Sequence, residues 1–117
     1  MARVIGGSIV GKDCLLDPGV VIGYPDSDEL PLLGSDREAE ISGATVGDNC
    51  TLRAGTLYSR ARLGNSVRSG HGWLVREDTT VGNGSLIGTG VTVDNDCRIG
   101  DHCSLQTGAY IPTGSRL

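Results

Sequence analysis

Aliphatic residues recur every six positions along this chain, and this period limits the fold more than any other feature. An α-helix repeats about every 3.6 residues and a half-buried strand about every 2, so neither alone produces the spacing. From Leu57 onward, ten of the eleven positions spaced by six are aliphatic, and Ser69 is the exception. Shorter runs upstream keep the same period, and the step from Leu52 to Leu57 is one residue short. The aliphatic positions are Val4, Val10, Leu16, Ile22, Val46, Leu52, Leu57, Leu63, Val75, Val81, Ile87, Val93, Ile99, Leu105, Ile111 and Leu117.

A second column lies four residues after each aliphatic residue, and its side chains are small with one exception, Trp73. Between the two columns stand Gly, Asn, Asp and His, the residue types that tolerate positive φ best. The pattern predicts short strands joined by sharp corners, with the aliphatic column facing inward and the small column filling each corner. The second column contains Ser8, Cys14, Val20, Ala44, Cys50, Thr56, Ala61, Val67, Trp73, Thr79, Ser85, Val91, Cys97, Cys103, Ala109 and Ser115.

The composition fits a narrow, repeating core within a single domain spanning residues 1–117. Glycine accounts for 19 residues, aromatics for 3%, and phenylalanine is absent. The net charge is −4 and the arginines are scattered, which argues against a nucleic acid or anionic membrane partner. No stretch is long and apolar enough to cross a membrane. Four cysteines without a recognisable leader favour a cytoplasmic location.

Two regions break the period. Residues 24–40 are acidic and follow no hexad, so we expect an inserted loop: either a tolerated surface insertion or a flap over a neighbouring subunit's cleft. The chain stops at Leu117, on the inward column, so we expect a shortened form of a longer protein or an end capped by another chain.

The hexad, an aliphatic residue followed by Gly and three residues later by a small residue, resembles the hexapeptide repeat of left-handed parallel β-helix acyltransferases. This resemblance implies an all-β, single-stranded left-handed parallel β-helix with three hexads, about 18 residues, per coil, so that residues i and i+18 stack. It also implies a homotrimer with the active site between two chains.

Three segments resemble a sugar O-/N-acetyltransferase-like branch of that superfamily: Leu52–Tyr58, Ser69–Glu77 and Leu105–Pro112. The resemblance implies transfer of an acyl group from acetyl-CoA or another acyl-CoA to the hydroxyl or amine of a small polar acceptor, for example a nucleotide sugar. It gives His71 the role of general base and implies no metal. Arg53, Tyr58, Arg76 and Glu77 would bind the acceptor. Gly70, Gly88, Thr89 and Thr107 would line the groove for the pantetheine arm.

The residues around His71 suit this chemistry. Acyl transfer requires a base to take a proton from the attacking group, and imidazole titrates near neutral pH. The glycines on either side of His71 leave it accessible, and backbone N–H groups at such a corner can stabilise an oxyanion. Glu77 is expected to orient His71 or to contact the acceptor, although Arg76 and Glu77 also fit a simple surface ion pair.

Other candidate residues have structural explanations. All four cysteines lie in the small column, which predicts corner packing rather than a disulfide or zinc site. His102 occupies a turn position. Trp73 needs either extra room, which the missing residue near Gly55 would provide, or an outward bulge of its corner.

Two alternatives to catalysis by acyl transfer stay open at this point. One is a non-catalytic β-solenoid scaffold or an inactive fragment of such an enzyme. The other is a metalloenzyme similar to gamma-class carbonic anhydrases, which need three histidine ligands. This chain has two histidines, and Arg76 stands where a second ligand would be expected.

Overall fold

The computed structural model describes residues 1–117 and shows a chain wound into a three-sided coil. Sixteen short strands form three parallel sheets, and strands paired within a sheet are separated by two intervening strands in sequence. Leu74 pairs with Thr92, so one coil contains eighteen residues at this point. The first sheet contains β1 (Arg3–Val4), β4 (Val20–Tyr24), β7 (Gly55–Tyr58), β10 (Trp73–Val75), β13 (Thr92–Val93) and β16 (Tyr110–Ile111). The second contains β2 (Ile9–Val10), β5 (Thr45–Val46), β8 (Arg62–Leu63), β11 (Thr80–Val81) and β14 (Arg98–Ile99). The third contains β3 (Leu15–Leu16), β6 (Thr51–Leu52), β9 (Arg68–Ser69), β12 (Leu86–Ile87) and β15 (Ser104–Leu105).

This architecture confirms the predicted left-handed parallel β-helix. Each hexad forms one side of the coil, and each strand is only a few residues long because a corner follows at once. The inward aliphatic column is buried through the central coils, where Leu57, Val75 and Val93 have no exposed surface. At the two ends the column lacks a covering coil, so Val4 is 49% exposed and Leu117 is 58% exposed.

The corners turn through one residue of positive φ, usually three positions after the inward aliphatic residue. Asn49, Asp78 and His102 adopt φ of 60°, 60° and 54° at such positions. The predicted turn role of His102 is therefore confirmed. Its imidazole also lies over Gly84, where an added Cβ would be 2.5 Å from His102 Nδ1.

The chain has three kinds of corner, which we name by their contents. The His71 corner joins the third sheet to the first, the insertion corner joins the first to the second, and the ladder corner joins the second to the third. At the insertion corner of the second coil, residues 25–44 leave the coil and form two 3-10 helices, Leu30–Leu32 and Glu38–Glu40. Tyr24, expected to begin the insertion, is the last residue of β4 and pairs with Tyr58.

The inserted segment returns to the coil in register. Val10 pairs with Val46, a separation of 36 residues, which is twice the usual coil length. The hexad pattern therefore resumes on the correct face after the excursion. None of the helices in this structure has the length and apolar character required to span a membrane.

Candidate functional site

The His71 corner is a tripeptide, Gly70-His71-Gly72, between β9 and β10. Gly72 adopts a φ of 69°, and an added Cβ there would meet no atom within 4 Å, so the corner faces open solvent. The backbone of His71 is tied to the next coil: its N–H donates to Thr89 Oγ1 at 3.3 Å and its carbonyl accepts from the Gly90 N–H at 2.8 Å. The imidazole is exposed and makes no hydrogen bond within the chain.

A row of polar side chains continues from His71 along the coil axis. Thr89 and Thr107 follow it on the next two coils, and both are exposed. The N–H of Gly108 donates to the Thr89 carbonyl at 2.8 Å, which holds these coils in the same alignment. The expected stacking of the two threonines beyond His71 is therefore present in the structure.

Gly70 and Gly88 lie at close approaches between coils. An added Cβ at Gly70 would be 2.2 Å from Thr89 Oγ1, and one at Gly88 would be 2.5 Å from the Leu105 carbonyl oxygen. Side chains at either position would push neighbouring coils apart. Coil packing alone therefore explains why both positions are glycine, independently of any role in binding a cofactor.

Trp73 fills the space that the missing residue creates. Its side chain is 1% exposed, and Trp73 pairs in register with Gly55 on the preceding coil. The indole Nε1 donates to the Arg53 carbonyl at 2.8 Å, and an added Cβ at Gly55 would be 2.3 Å from that nitrogen. Of the two explanations, extra room is correct. Gly55, rather than Thr56 as expected, occupies the small column here, because the shorter corner shifts the count by one.

The same shortened corner explains Ser69, the exception in the aliphatic column. Elsewhere the residue after each inward aliphatic donates its N–H to a carbonyl on the next coil, as Gly70 does to Ile87 at 2.8 Å. At the short corner the Arg53 N–H instead donates to Ser69 Oγ at 3.0 Å. Ser69 is buried, and its hydroxyl satisfies a donor that an aliphatic side chain would leave unpaired.

Arg53 lies beside the His71 corner, one coil toward the N-terminus. Its side chain is exposed, with Nη1 donating to the Ser69 carbonyl at 3.4 Å. It borders an open cleft of about 290 Å³ on the third sheet, which Leu15, Asp17 and Thr51 also line. The structure thus brings Arg53 together with the corner of His71.

The remaining three predicted site residues lie at the opposite edge of the first sheet. The Arg76 guanidinium stands over the Tyr58 ring at 4.9 Å, and its Nε donates to Glu77 Oε1 at 2.9 Å. Arg76 Nη1 is also 3.8 Å from Asp94 Oδ1, and the Tyr110 hydroxyl donates to Asp94 Oδ2 at 2.7 Å. The Glu77 carboxylate raises the pKa of Arg76, and the Tyr110 hydroxyl lowers the pKa of Asp94. Arg76 and Glu77 therefore form a partly buried ion pair.

The predicted site residues therefore form two groups. His71, Arg53 and the row of threonines lie at one edge of the first sheet, and Tyr58, Arg76 and Glu77 lie at the other. The three residues of β10 that separate the groups span about 10 Å. Within one chain, Glu77 is paired with Arg76 and does not contact His71. His71 and Glu77 are six residues apart, so they lie at successive corners with β10 between them.

No group of three or more His, Cys, Asp or Glu side chains is arranged to hold a metal ion. His71 and His102 lie at different corners, because one follows β9 and the other follows β14. Nothing in the donor set supports the carbonic anhydrase alternative.

Comparisons with known families agree with the fold. The family model described as bacterial transferase hexapeptide (six repeats) matches residues 78–113. A second, the hexapeptide repeat of succinyl-transferase, matches residues 32–57. No curated protein and no solved structure shows significant similarity to the chain. With the β-helix geometry, these matches show that the chain belongs to the left-handed β-helix hexapeptide-repeat transferase superfamily, and this membership supports a generic acyltransferase role.

Proposed function

We propose that this protein transfers an acyl group from acetyl-CoA or a related acyl-CoA to a hydroxyl or amine of a small polar acceptor such as a nucleotide sugar. His71 is the general base in this proposal. The observation that carries it is the exposed, unpartnered imidazole at a glycine corner of a hexapeptide-repeat coil. The four free thiols are consistent with a cytoplasmic location, which we include in the proposal.

Each part of the His71 corner has a task in this reaction. The imidazole takes the proton from the acceptor's hydroxyl or amine as that group attacks the thioester carbonyl. Gly72 leaves space beside the imidazole for the approaching thioester, since an added Cβ there meets nothing. Thr89 and Thr107 continue from His71 along the coil axis and offer hydroxyl groups to the pantetheine amides. Gly70 and Gly88 carry no side chains, so the pantetheine arm can approach the backbone beside this row.

The acceptor-binding residues require a second copy of the chain. Arg53 is close enough to contribute beside His71 in the same chain, whereas Tyr58, Arg76 and Glu77 are at the far edge. We propose a homotrimer in which the His71 edge of one subunit meets the Arg76 edge of its neighbour. This arrangement would place Arg53 of one subunit near Arg76 and Glu77 of the next, where their charged groups can hydrogen-bond a polar acceptor.

The test replaces His71 with Gln and measures acetyl-CoA turnover with a panel of sugar and nucleotide-sugar acceptors. Loss of the base is expected to reduce turnover about 10²–10⁴-fold while leaving the Tm unchanged. The matched control is His102→Asn, which removes the other imidazole and keeps a residue that tolerates positive φ. Equal activity in His71→Gln and the wild type would remove His71 from the role of base. Calorimetry that detects no CoA binding to the folded protein would instead favour the non-catalytic scaffold.

A further inference from the structure

Cys14 and Cys50 occupy equivalent positions on neighbouring coils at the ladder corner. Two backbone hydrogen bonds flank the pair and fix its register. The Asn49 N–H donates to the Lys12 carbonyl at 2.9 Å, and the Leu15 N–H donates to the Cys50 carbonyl at 2.9 Å. The two cysteines therefore stand opposite each other, although 36 residues separate them in the sequence.

Both thiols enter the interior of the coil in the same column. Cys50 is fully buried and Cys14 is partly exposed. Cys14 Sγ donates to the Gly47 carbonyl and Cys50 Sγ to the Gly64 carbonyl, each at 3.2 Å, so the two side chains point the same way. Burial raises the pKa of the Cys50 thiol, and the adjacent Cys14 thiol raises it further.

The spacing between coils brings these residues within reach of a covalent bond, which would draw their Cβ atoms from about the coil spacing of 4.8 Å to roughly 3.8 Å. Adjacent strands in a sheet lie about 4.8 Å apart, within the roughly 4.4–6.8 Å range of Cα separations in disulfides. We propose that Cys14 and Cys50 form a disulfide when the protein meets an oxidising thiol–disulfide pool. The bond fastens the first coil to the second and encloses residues 15–49, including the whole inserted segment.

The reaction needs a small disulfide such as oxidised glutathione as the oxidant. The more accessible Cys14 thiolate attacks it, releasing one glutathione thiolate and leaving a mixed disulfide on Cys14. The Cys50 thiolate then attacks the Cys14 sulfur, and the second glutathione leaves. Two protein thiols are oxidised to one disulfide, one glutathione disulfide is reduced to two thiols, and the protons pass to those thiols.

The other two cysteines lack such a partner. Cys97 is stacked on Thr79 and Cys103 on Ser85, with backbone N–H groups donating to those hydroxyls at 3.2 and 3.0 Å. Cys97 and Cys103 lie at different corners of the same coil. The structure therefore distinguishes one oxidisable pair from two isolated thiols, and this distinction does not depend on the proposed enzymatic function.

The test incubates the full folded chain with oxidised glutathione, then counts free thiols in denaturant and maps the linked peptides. The expected result is a fall from four thiols to two, with one peptide pair joining Cys14 to Cys50. The double variant Cys97→Ser/Cys103→Ser should still form this bond, and Cys50→Ser should not form an intrachain bond. The oxidised wild type should unfold several degrees higher than the reduced form, because the bridge restricts the unfolded chain.

Three results would overturn the proposal. One is a chain that keeps all four thiols or carries only glutathione adducts. Another is a bond that involves Cys97 or Cys103. A third is a Tm that oxidation leaves unchanged, which would contradict the fastening of the two coils. Peptide mapping of the wild type decides the identity of the bond even where a serine variant does not fold.

Discussion

At the scale of single residues, two apparent irregularities of the repeat have one origin. The hexad before Leu57 lacks one residue, which leaves the Arg53 N–H without the usual carbonyl and opens space beside Gly55. Ser69 satisfies the donor with its hydroxyl, and Trp73 fills the space with its indole. The largest buried side chain of the protein thus sits directly beside the candidate base, His71.

Replacing Trp73 with Ala should cost about 3–5 kcal/mol in the free energy of unfolding, because a large buried side chain is lost and the coil cannot collapse into the gap. Gly55→Ala should also destabilise the wild type, since its Cβ would lie 2.3 Å from Trp73 Nε1. Urea unfolding of both single variants and the double variant measures these effects. In the Trp73→Ala background, Gly55→Ala should be much less harmful; equal costs in both backgrounds would show that the indole is not what excludes a side chain at position 55.

The roles of individual residues were predictable where they depend on a position in the hexad. His102 was expected at a turn and adopts a φ of 54° there. The sequence left two explanations for Trp73 in the small column, extra room or an outward bulge. It shows that a residue is missing but not how the backbone accommodates the loss. Thr56 was placed in the small column for the same reason.

At the scale of elements, two arginines tie the inserted segment to the coil: Arg3, whose Nη2 is 3.3 Å from Glu38 Oε1, and Arg60, which makes more contacts. Arg60 Nη2 donates to Asp26 Oδ2 at 2.5 Å, and Arg60 Nε donates to Asp78 Oδ1 at 3.0 Å on the next coil. Its Nη1 is 3.6 Å from Glu29 Oε1, and Glu29 Oε2 accepts from the Ser42 hydroxyl at 2.6 Å. Both ends of the excursion are therefore tied to the insertion corner.

Asp26→Asn should reduce the free energy of unfolding at neutral pH by about 1–3 kcal/mol, because it weakens a charge-assisted hydrogen bond. The Arg60 guanidinium lowers the pKa of Asp26, so the folded state binds this proton less readily than the unfolded state. The stabilisation is therefore complete above the ordinary pKa of Asp and is lost as the pH falls through the folded value.

Urea unfolding at pH 7 and in acid, near pH 3, checks this expectation. The difference between the wild type and Asp26→Asn should shrink in acid, whereas Asp36→Asn should match the wild type at both pH values, because Asp36 is exposed and makes no side-chain hydrogen bond. A difference that stays constant with pH would show that the carboxylate charge is not responsible.

At the ladder corner, hydrogen bonds between turn residues of neighbouring coils form a continuous ladder that the turn composition alone does not predict. Each backbone N–H of Lys12, Asp48, Asn65 and Asn83 donates at 2.8 Å to the side-chain oxygen of the equivalent residue on the next coil. The sequence predicts residues suited to turns at these positions. The shared ladder, which ends on Asp101 Oδ1, follows only once the coils are stacked. Its partners always lie on neighbouring coils, but they are 17 or 18 residues apart in sequence and, across the insertion, 36.

At the scale of the whole molecule, the first sheet separates His71 from Arg76, so we expect a trimer to combine them. Light scattering should give a trimer mass, and a monomer mass would contradict the arrangement. The variants His71→Ala and Arg76→Ala should each lose activity when expressed alone. Co-expressed, they should regain a fraction of it, because some sites receive His71 from one subunit and Arg76 from a neighbour.

Two controls make the mixing experiment decisive. Each variant should keep the trimer mass and a Tm close to that of the wild type, since Arg76 also forms ion pairs. Mixed trimers that are no more active than either variant would show that the two groups do not share a site. A double variant that carries both substitutions on one chain, expressed alone, gives the activity expected when no complete site can form.

The sequence by itself determined the coil, its three sides, its inward columns and its turn positions. These depend on a local pattern that repeats, so each hexad supplies the same evidence again. The tertiary structure decided the partnership of Cys14 with Cys50, the packing of Trp73 on Gly55, the contacts of Arg60, and the separation of His71 from Arg76. The first three depend on which coil a residue joins after an insertion or a missing residue, and only the hydrogen-bonded register between coils specifies that. The last depends on strand β10, which places His71 and Arg76 at opposite edges of the first sheet.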